Sequence, residues 1–517
     1  MITESANSFT VEWEDPADAA ITWSFDGMHH PAPLAPLTQH INSVNNEAVF
    51  GGRTRYVNGY AFSLLTGVPA PPREAFSKGI AIWTEDYEPR MARYCRDVVE
   101  RDYEQLPAAA LAAELESLFL STAEHFQLTM VVILPFMAPT YEVLGIAQAA
   151  LGEDGPRLVG TLLQGYDNTT ASAGLGLAAL ARQAREWPEV ALLLRAGDYD
   201  SLAHAPGGRE FLAQLDSYLN DYGWRLETWS SMHVPTWAED PRVPLALVAR
   251  YLDDAAANPE DAVARSARDR TAAEAELEAR LAPETRDQLL SRIEAARGHV
   301  SISESRAHWQ LMVFGVLRRP ILALGRKLAA NGTITDPNDI FFLHWDEVLH
   351  AAREPAASFQ DVVAERQADL KRWSALTPPP FIGSAPPEDN GPGAFFARHF
   401  FGSGVQQSAD QQEVTGIGAS RGIATGRARV IASLADSDRL EPVDVLVCAT
   451  TAPPWTPLFA IAAAVVTDTG GVLSHSAICA REYAIPAVVG TQVGTSRIPD
   501  GATVTVDGEK GTVRIES

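Results

Sequence analysis

The sequence has few cysteines and no pattern that uses them together. Its 517 residues include only Cys95, Cys448 and Cys479, and no two of these have the CxxC spacing. An odd, scattered set argues against a disulfide framework and against a zinc site. We therefore predict no bound metal.

The sequence also lacks a basic excess. Lys and Arg number 41 against 66 Asp and Glu, which gives a formal net charge of -25. This balance argues against nucleic acid or an anionic membrane as the main partner, because both need a basic protein face. It is compatible with a local cationic pocket for a phosphate, and solubility alone would also favour an acidic surface.

Long hydrophobic runs are missing as well. The longest, LTMVVILPFMAP from Leu128 to Pro139, is too short to span a bilayer. The first residues, MITESANSFTVEWEDP, show no basic start followed by an apolar stretch, so no secretory signal is visible. We expect a cytoplasmic location.

Length and periodicity predict a multidomain α+β protein. A chain of 517 residues is too long for one core. Residues 1–60 are mixed and rich in turns and aromatics, and residues 88–375 show helical spacing of apolar side chains. A stretch from Asp261 rich in Ala, Glu and Arg predicts one or two solvent-facing helices. We predict a largely helical domain over residues 1–376.

A break in composition follows this region. Residues 377–412 begin with TPPPFIGSAPPEDNGPG, which is crowded with Pro and Gly and predicts an extended linker. Residues 413–517 contain short β-rich runs (ARVIA, DVLVCAT, AAAVVTD, PAVVG, TVTVD, TVRI) and one helical stretch, SAICAREYA. We predict a small α/β domain on a tether, as a carrier that travels between sites would need.

One segment of the α/β domain carries a candidate reactive histidine. In TDTGGVLSHSAICARE, Gly470 and Gly471 allow the chain to turn sharply, and His475 stands where a helix begins. Unpaired N–H groups at a helix start favour an anion, and imidazole is a good nucleophile near neutral pH. Ser474 is placed to cap the helix or bind a phosphoryl group, and Arg481 to neutralise phosphate charge. A histidine beside a helix can also be a purely structural cap.

The whole segment resembles the mobile phosphohistidine domain of PEP-utilising enzymes, a family that includes PEP synthase, pyruvate phosphate dikinase and rifampicin phosphotransferase. The family pattern is Gly-Gly, two variable residues, Ser/Thr/Cys, His, then a helix with Ala-Arg and a following Pro-Ala-Val-x-Gly. The matching residues here are Gly470, Gly471, Ser474, His475, Ala480, Arg481, Pro486, Ala487, Val488 and Gly490. The resemblance implies a swivelling domain in which His475 takes up a phosphoryl group and hands it on.

The preceding region resembles the same family more weakly, in RRPILALGRKLAANGTITDPNDIFFLHWDEV, DYGWRLETWSSMHVPTWAEDP, LLQGYDNTTA and TRYVNGYAF. Rifampicin phosphotransferase has an ATP-grasp domain, a helical acceptor-binding domain and a histidine domain, and this chain resembles the last two. No Gly-rich nucleotide loop or PEP-binding barrel is visible. The resemblance therefore implies a separate ATP-grasp subunit, similar to the N-terminal part of PEP synthase, that binds ATP and Mg²⁺ and charges His475. Phenylphosphate-synthase systems divide their parts in this way.

The resemblance also suggests an acceptor site. In rifampicin phosphotransferase, acceptor-side residues lie in an Arg-Glu-x-x-Lys stretch, and the corresponding stretch here is SISESRAHW. Glu304 matches the Glu, Ser303 and Ala307 replace the Arg and the Lys, and Arg306 supplies a displaced charge beside His308. A base near the acceptor hydroxyl and a cation on the phosphoryl group would both speed transfer. The alternative is a surface helix with ordinary charges.

Two further places are candidates for lining an acceptor pocket. Relatives often carry Gly-His-Arg where this chain has Gly223, Trp224 and Arg225, which predicts either a more aromatic pocket or core packing. His29 and His30 stand in WSFDGMHHPAPLAP; alternatively one is exposed and the other packs.

These observations support three functions. The first is the carrier and acceptor subunit of an ATP-dependent, dikinase-type phosphotransferase acting on the hydroxyl of a small, phenolic or aromatic acceptor. The second is a ligase-like enzyme in which phosphorylation activates a carbonyl or carboxyl group for condensation. The third is a non-catalytic phosphocarrier, although a bare carrier would need only the last hundred or so residues.

Overall fold

The computed structural model describes residues 9–13, 15–64, 71–152, 154–164, 169–229, 231–253, 259–385 and 405–516. Its helices are α1 (Pro36–Phe50), α2 (Ala75–Ile82), α3 (Glu88–Glu100), α4 (Ala108–Val131), α5 (Ile133–Leu151), α6 (Asp154–Leu162), α7 (Thr169–Ala184), α8 (Pro188–Ala196), α9 (Gly208–Tyr222), α10 (Arg242–Asp253), α11 (Pro259–Arg280), α12 (Pro283–Gly315), α13 (Arg318–Ala330), α14 (Trp345–Arg353), α15 (Gln360–Trp373), α16 (Thr456–Phe459), α17 (His475–Glu482) and α18 (Gly494–Arg497). The predicted α+β class, with helices before a C-terminal α/β part, is confirmed.

Contacts within the chain divide it into two compact units, each built from three segments. The first unit comprises Met1–Ile133, Thr228–Pro235 and Trp309–Glu388, and the second comprises Leu134–Glu227, Thr236–His308 and Asp389–Ser517. The predicted α/β segment belongs to the second unit together with many of the helices. The boundaries predicted at residues 376 and 413 stay a prediction.

A four-stranded antiparallel sheet anchors the first unit. The strands are β1 (Thr22–Phe25), β2 (Arg53–Val57), β3 (Tyr60–Leu64) and β4 (Phe381–Gly383), in the order β2-β3-β1-β4. Trp23 and Phe62 are fully buried in its aromatic core. Strand β4 lies inside the predicted linker: Ile382 pairs with Trp23 and is buried, so this part is sheet rather than tether. Residues 386–404 of the predicted linker lie outside the described residues.

The helical part of the second unit is built around an apolar core from α5, α6, α11 and α12. The Ala-, Glu- and Arg-rich stretch forms the last two of these helices, as predicted, but it is not simply solvent-facing. Ala273 and Leu277 on α11, and Leu289 and Ile293 on α12, are buried at helical spacing. Their opposite faces carry the charged side chains, which is why composition alone predicted exposure.

An eight-stranded sheet forms the α/β part of the second unit. Its strands are β5 (Glu413–Thr415), β6 (Ile417–Ser420), β7 (Ile423–Val430), β8 (Val445–Cys448), β9 (Ala464–Thr467), β10 (Ala487–Val489), β11 (Thr503–Asp507) and β12 (Thr512–Ile515). The order is β5-β12-β11-β7-β8-β9-β10-β6, and β7 to β10 run parallel. Each predicted β-rich run is a strand, and β8, β9 and β10 are buried throughout, as parallel strands covered on both faces require.

Within the described ranges, no helix combines the length and the apolar character that crossing a membrane requires. The apolar run noted in the sequence is divided between α4 and α5.

Candidate functional site

His475 is the first residue of α17, directly after a turn that depends on glycine. Strand β9 ends at Thr467, and Gly470 then adopts a φ of +102°, a conformation that side-chain-bearing residues rarely accept. A Cβ at Gly470 would also lie 2.6 Å from the Ser474 hydroxyl oxygen. That hydroxyl caps α17 by accepting a hydrogen bond from the Ala477 amide at 3.3 Å. The turn therefore fixes the start of the helix and the place of His475.

The ring of His475 is held between two parts of the second unit. Its Nδ1 lies 2.9 Å from Oε2 of Glu304 on α12, and its Nε2 lies 3.4 Å from both the Thr456 hydroxyl and the Cys479 sulfur. The side chains of His475 and Glu304 are 13% and 3% exposed. The structure thus brings together two predicted site residues that are 171 positions apart.

Several contacts hold the α/β part against the helices in this position. Tyr251 donates to the carbonyl of Pro457 at 3.1 Å, and the Ser433 hydroxyl donates to Glu227 at 3.1 Å. Arg421 forms an ion pair with Glu276 at 3.2 Å. These contacts join the same two parts of the second unit as the contact between His475 and Glu304, so the structure shows the histidine docked at the helical part.

The environment of His475 favours its protonated form. Burial lowers its pKa, but the electrostatic interactions and hydrogen bonds with Cys479 and Glu304 outweigh burial and raise the pKa to about 10. Burial also raises the pKa of the Cys479 thiol, so this group is neutral near pH 7. We therefore attribute the stabilised imidazolium chiefly to the Glu304 carboxylate.

The acceptor-side residues predicted from SISESRAHW are buried rather than exposed. Glu304, Arg306 and His308 are 2%, 9% and 4% exposed, so the alternative of an ordinary surface helix is wrong for these positions. Burial lowers the pKa of Arg306 to about 10, partly offset by the charge of Glu304, and the guanidinium remains charged near neutral pH. Burial, and next the charge of Arg225, hold the pKa of His308 well below its usual range, so its ring is neutral.

Arg225 lies in a buried aromatic environment near His308. Its Nε donates to the carbonyl of Tyr222 at 2.9 Å, and its guanidinium carbon lies 5.1 Å from the Tyr222 ring centre. The second ring on the guanidinium is that of Trp237, at 5.8 Å, rather than that of the predicted Trp224, which is half-buried. The His308 ring meets Tyr222 edge to face at 5.8 Å. Arg225 and His308, both predicted from sequence, therefore belong to one cluster.

The remaining predicted residues have other surroundings. Arg481 is 7% exposed and donates to the carbonyl of Ala419 at 3.0 Å, so its predicted phosphate contact stays a prediction. His29 and His30 belong to the first unit: Nδ1 of His29 lies 2.8 Å from Asp26, and His30 is buried with its Nε2 3.0 Å from Asn42 Oδ1. One of this pair is half-exposed and the other is packed, which is the alternative considered from the sequence.

Cys479 was missed as a neighbour of the reactive histidine. His475 and Cys479 are four residues apart on one helix, a spacing that places both on the same face and was visible in the sequence. Together with Glu304 they offer nitrogen, sulfur and oxygen atoms within 4.8 Å of one another, a donor set of the kind that zinc accepts. Cysteine spacing alone had suggested no metal, and that expectation stays a prediction.

Comparison with known proteins identifies two regions of the chain. Residues 130–304 match the family described as rifampicin phosphotransferase fourth domain. Residues 440–511 match the family described as PEP-utilising enzyme, mobile domain. The second match contains His475 and the glycine turn, and the first ends at Glu304.

Individual relatives extend the similarity along the chain. A chondramide synthase of Chondromyces crocatus is 31% identical over 98% of this chain and 14% of its own length. The uncharacterized phosphotransferase YvkC of Bacillus subtilis is 27% identical over 100% of this chain and 63% of its own. A rifampicin phosphotransferase of Streptomyces sviceus is 30% identical over 68% of this chain and 40% of its own. The chain thus spans less than two thirds of each of these relatives.

The two family matches, the glycine turn before His475 and the agreement of the relatives point to one conclusion. The chain contains a PEP-utilising enzyme mobile domain and a region that matches the fourth domain of rifampicin phosphotransferase.

Proposed function

We propose that this chain is a phosphotransferase that carries a phosphoryl group on His475 and delivers it to a hydroxyl group of a small aromatic acceptor. The observation that carries the proposal is the 2.9 Å contact between His475 Nδ1 and Glu304 Oε2. It places the histidine of the mobile domain against a buried carboxylate of the helical part. A phosphoryl carrier and a carboxylate that can orient its ring then meet at one point.

We propose different roles for the two ring nitrogens of His475, and the contact with Glu304 supports this proposal. Glu304 holds a proton on Nδ1, which leaves Nε2 as the atom that bonds phosphorus. The carboxylate orients the ring and stabilises the imidazolium that forms once the acceptor proton has reached Nε2, as the carboxylate of a catalytic triad does for its histidine. Ser474 and Gly470 contribute by fixing the start of the helix.

The transfer step balances without an added reagent. The oxygen of the acceptor attacks phosphorus, the P–Nε2 bond breaks, and its electron pair stays on the imidazole. The hydroxyl proton leaves the acceptor and ends on Nε2. The product is an imidazolium paired with Glu304, which is the state that the raised pKa of His475 favours. Arg306, buried and charged beside Glu304, is the proposed cation for the transferring group.

The charging step requires a nucleotide. The 517 residues contain no Gly-rich phosphate-cradling loop, so we propose that ATP and Mg²⁺ bind to a separate ATP-grasp subunit, which phosphorylates His475. The purified chain alone is then expected not to bind ATP in the micromolar range by calorimetry. Tight binding by the chain itself would contradict this division of labour.

The aromatic acceptor is proposed from the side chains that surround Arg225. Tyr222, Trp237 and His308 present rings within 6 Å of the guanidinium or of one another. Such surroundings favour a flat ring over a flexible aliphatic chain. Phenols combine a ring with a hydroxyl and are the expected acceptor class.

The central test is phosphoryl labelling of His475. With the ATP-binding subunit and labelled Mg-ATP, the wild-type chain should gain an acid-labile, base-stable phosphoramidate, and His475→Ala should gain none. His204→Ala, which removes an exposed histidine from the same unit, is the matched control and should be labelled normally. Wild-type labelling of the His475→Ala chain would refute the carrier role.

A ligase-like activity is the second candidate. It is favoured by the relative that covers 98% of this chain at 31% identity and is named as a synthase rather than a phosphotransferase. In that case the phosphoryl group would activate a carboxyl group and leave as phosphate. Product analysis separates the two: a stable phosphate ester supports the phosphotransferase, and phosphate release with a condensed product supports the ligase. A phosphocarrier alone would yield neither product.

A further inference from the structure

We propose that Arg225 and the rings around it form a binding site for the oxyanion of a small aromatic ligand. This inference rests on the proposed function for the identity of that ligand, because it names the acceptor as an aromatic compound with an acidic group. The site itself is argued from the surroundings of Arg225. Its position relative to Glu304 is argued from His308, which lies near Arg225 and shares helix α12 with Glu304.

Arg225 is a buried cation whose terminal nitrogens make no hydrogen bond within the described part of the chain. The residue is 2% exposed, and among the described residues neither Nη1 nor Nη2 has a hydrogen-bond partner. Among the described residues, Nε alone makes a hydrogen bond, which it donates to the Tyr222 carbonyl. Burial lowers the pKa of Arg225, and the groups that partly offset this are the Tyr218 and Tyr222 phenols, with no carboxylate among them. A buried guanidinium in this condition is strongly unfavourable unless an anion completes it.

A second buried polar group lies beside the guanidinium. The Tyr218 hydroxyl is buried without a partner among the described residues, and its ring lies 5.1 Å from that of Tyr222. Burial raises the pKa of Tyr218 above its usual range, and Arg225 partly opposes this shift. The phenol is therefore a neutral donor. Two guanidinium nitrogens and a hydroxyl are a donor set suited to the oxygens of one oxyanion, which Arg binds through its paired N–H groups.

The surroundings select an aromatic ligand rather than a free ion. The rings of Tyr222 and Trp237 lie 5.1 and 5.8 Å from the guanidinium carbon, and the neutral ring of His308 lies against Tyr222. In the proposed complex, a flat ligand ring packs against these rings while its acidic group faces Arg225.

The site is close to the phosphoryl donor along one helix. His308 and Glu304 are four residues apart on α12, hence on one face and separated by about 6 Å along the axis. Glu304 contacts His475 and His308 belongs to the Arg225 cluster. In the proposed complex, the acidic group of the ligand faces Arg225 and its hydroxyl group faces His475.

The shared chemistry, an oxyanion on the paired N–H groups of Arg225, has two sources: a carboxylate on the acceptor, or the transferred phosphoryl group. Calorimetric titration of the full chain with 4-hydroxybenzoate, phenol and inorganic phosphate separates them. We expect 4-hydroxybenzoate to bind about 10- to 100-fold more weakly to Arg225→Met than to wild type, whereas phenol binding changes little. If Arg225 is needed to bind inorganic phosphate but not 4-hydroxybenzoate, the oxyanion at Arg225 is the transferred phosphoryl group. In that case Arg225 still forms an oxyanion site, but the acceptor does not supply the oxyanion.

Stability provides a control for folding. Because Arg225 has unpaired buried nitrogens, Arg225→Met should leave the melting temperature unchanged or raise it. Arg318 is equally buried but donates to the Met232 carbonyl and to Asn338, so Arg318→Met should lower the melting temperature. If Arg225→Met does not fold, Arg225→Lys is used: it keeps the charge but loses the paired geometry, and it should bind 4-hydroxybenzoate more weakly than wild type.

The proposal is overturned if wild type binds neither 4-hydroxybenzoate nor phosphate at millimolar concentration, or if the Arg225 variants bind both as tightly as wild type does. These titrations involve no phosphoryl transfer. A failure here therefore leaves the labelling of His475 untouched, and a failure of labelling leaves the titrations interpretable.

Discussion

The Nδ1 atom of His475 lies 2.9 Å from Oε2 of Glu304, and both side chains are shielded from solvent. The pair joins the first turn of α17, in the α/β part of the second unit, to the long helix α12. The two residues are 171 positions apart, so no local sequence pattern around either of them predicts the contact. Replacing Glu304 therefore tests the proposed acceptor side separately from the proposed carrier, His475.

Replacement of Glu304 should slow delivery without affecting charging. Glu304→Gln removes the carboxylate that orients the ring through Nδ1 and stabilises the imidazolium, and loss of the equivalent carboxylate of a catalytic triad slows the reaction by up to about 10,000-fold. In a pulse-chase experiment, phosphorylated chain should accumulate and decay slowly after the acceptor is added.

Glu294→Gln is the matched control for that experiment. Glu294 lies on the same helix but is exposed and pairs with Arg297. Its replacement should leave both steps at wild-type speed. Normal delivery by Glu304→Gln, or loss of its charging, would place the acceptor side elsewhere.

Arg306 should act on the same step through its charge. The guanidinium is buried and remains charged near neutral pH, so Arg306→Gln removes a cation that would stabilise the transferring group. We expect delivery to slow by roughly 100-fold or more, with partial recovery in Arg306→Lys. Single-turnover measurements with pre-phosphorylated chain isolate this step. Equal rates for Gln and Lys variants would show that the charge is not used.

The pH dependence of stability should reveal the contact between His475 and Glu304. The pKa of His475 is raised from 6.5 to about 10 in the folded chain. The resulting stabilisation is fully present below pH 6.5 and is lost as the pH rises through 10. The difference in stability between wild type and Glu304→Gln should therefore shrink over this range, by on the order of 1–3 kcal/mol. Thermal melts of both proteins at pH 6, 8 and 10 test this, and a constant difference would contradict it.

The turn before His475 should be unusually sensitive to substitution. Gly470→Ala adds a Cβ 2.6 Å from the Ser474 hydroxyl oxygen at a φ of +102°. Gly501→Ala is the matched control, since Gly501 has a φ of +84° and open space around it. Left-handed strain should cost both variants roughly 1–2 kcal/mol, and displacement of the helix cap should cost Gly470→Ala about 1 kcal/mol more. Chemical denaturation compares the two, and equal losses would mean that the cap is not disturbed.

Sequence patterns predicted six of the eight strands in the α/β part of the second unit, β7 to β12, and missed β5 and β6. Its strands are short apolar runs bounded by Gly, Pro and Asp, and local signals of this kind determine both the strands and the position of His475. The place of Glu304 was predicted only through resemblance, because the contact with His475 joins residues 171 positions apart. No periodicity in either segment encodes that pairing.

Other features could not be predicted because they depend on packing between distant segments. Ile382 lies in a Pro-rich stretch that gives no sign of a sheet, yet it pairs with Trp23 from the start of the chain. Trp237 contacts Arg225, whereas sequence reasoning pointed to the adjacent Trp224. Composition can indicate that aromatic rings are available, but only the folded chain selects which ring is used.

The stabilised imidazolium of His475 determines at which step of the proposed cycle a proton is released. In the proposed transfer step, the hydroxyl proton of the acceptor moves to Nε2 of His475. It stays there while His475 is docked, because the pKa of the docked His475 is raised to about 10. A protonated imidazole cannot attack ATP. In the proposed cycle, the proton is therefore released to solvent after His475 leaves Glu304 and before His475 is phosphorylated again. It is not released when the product forms.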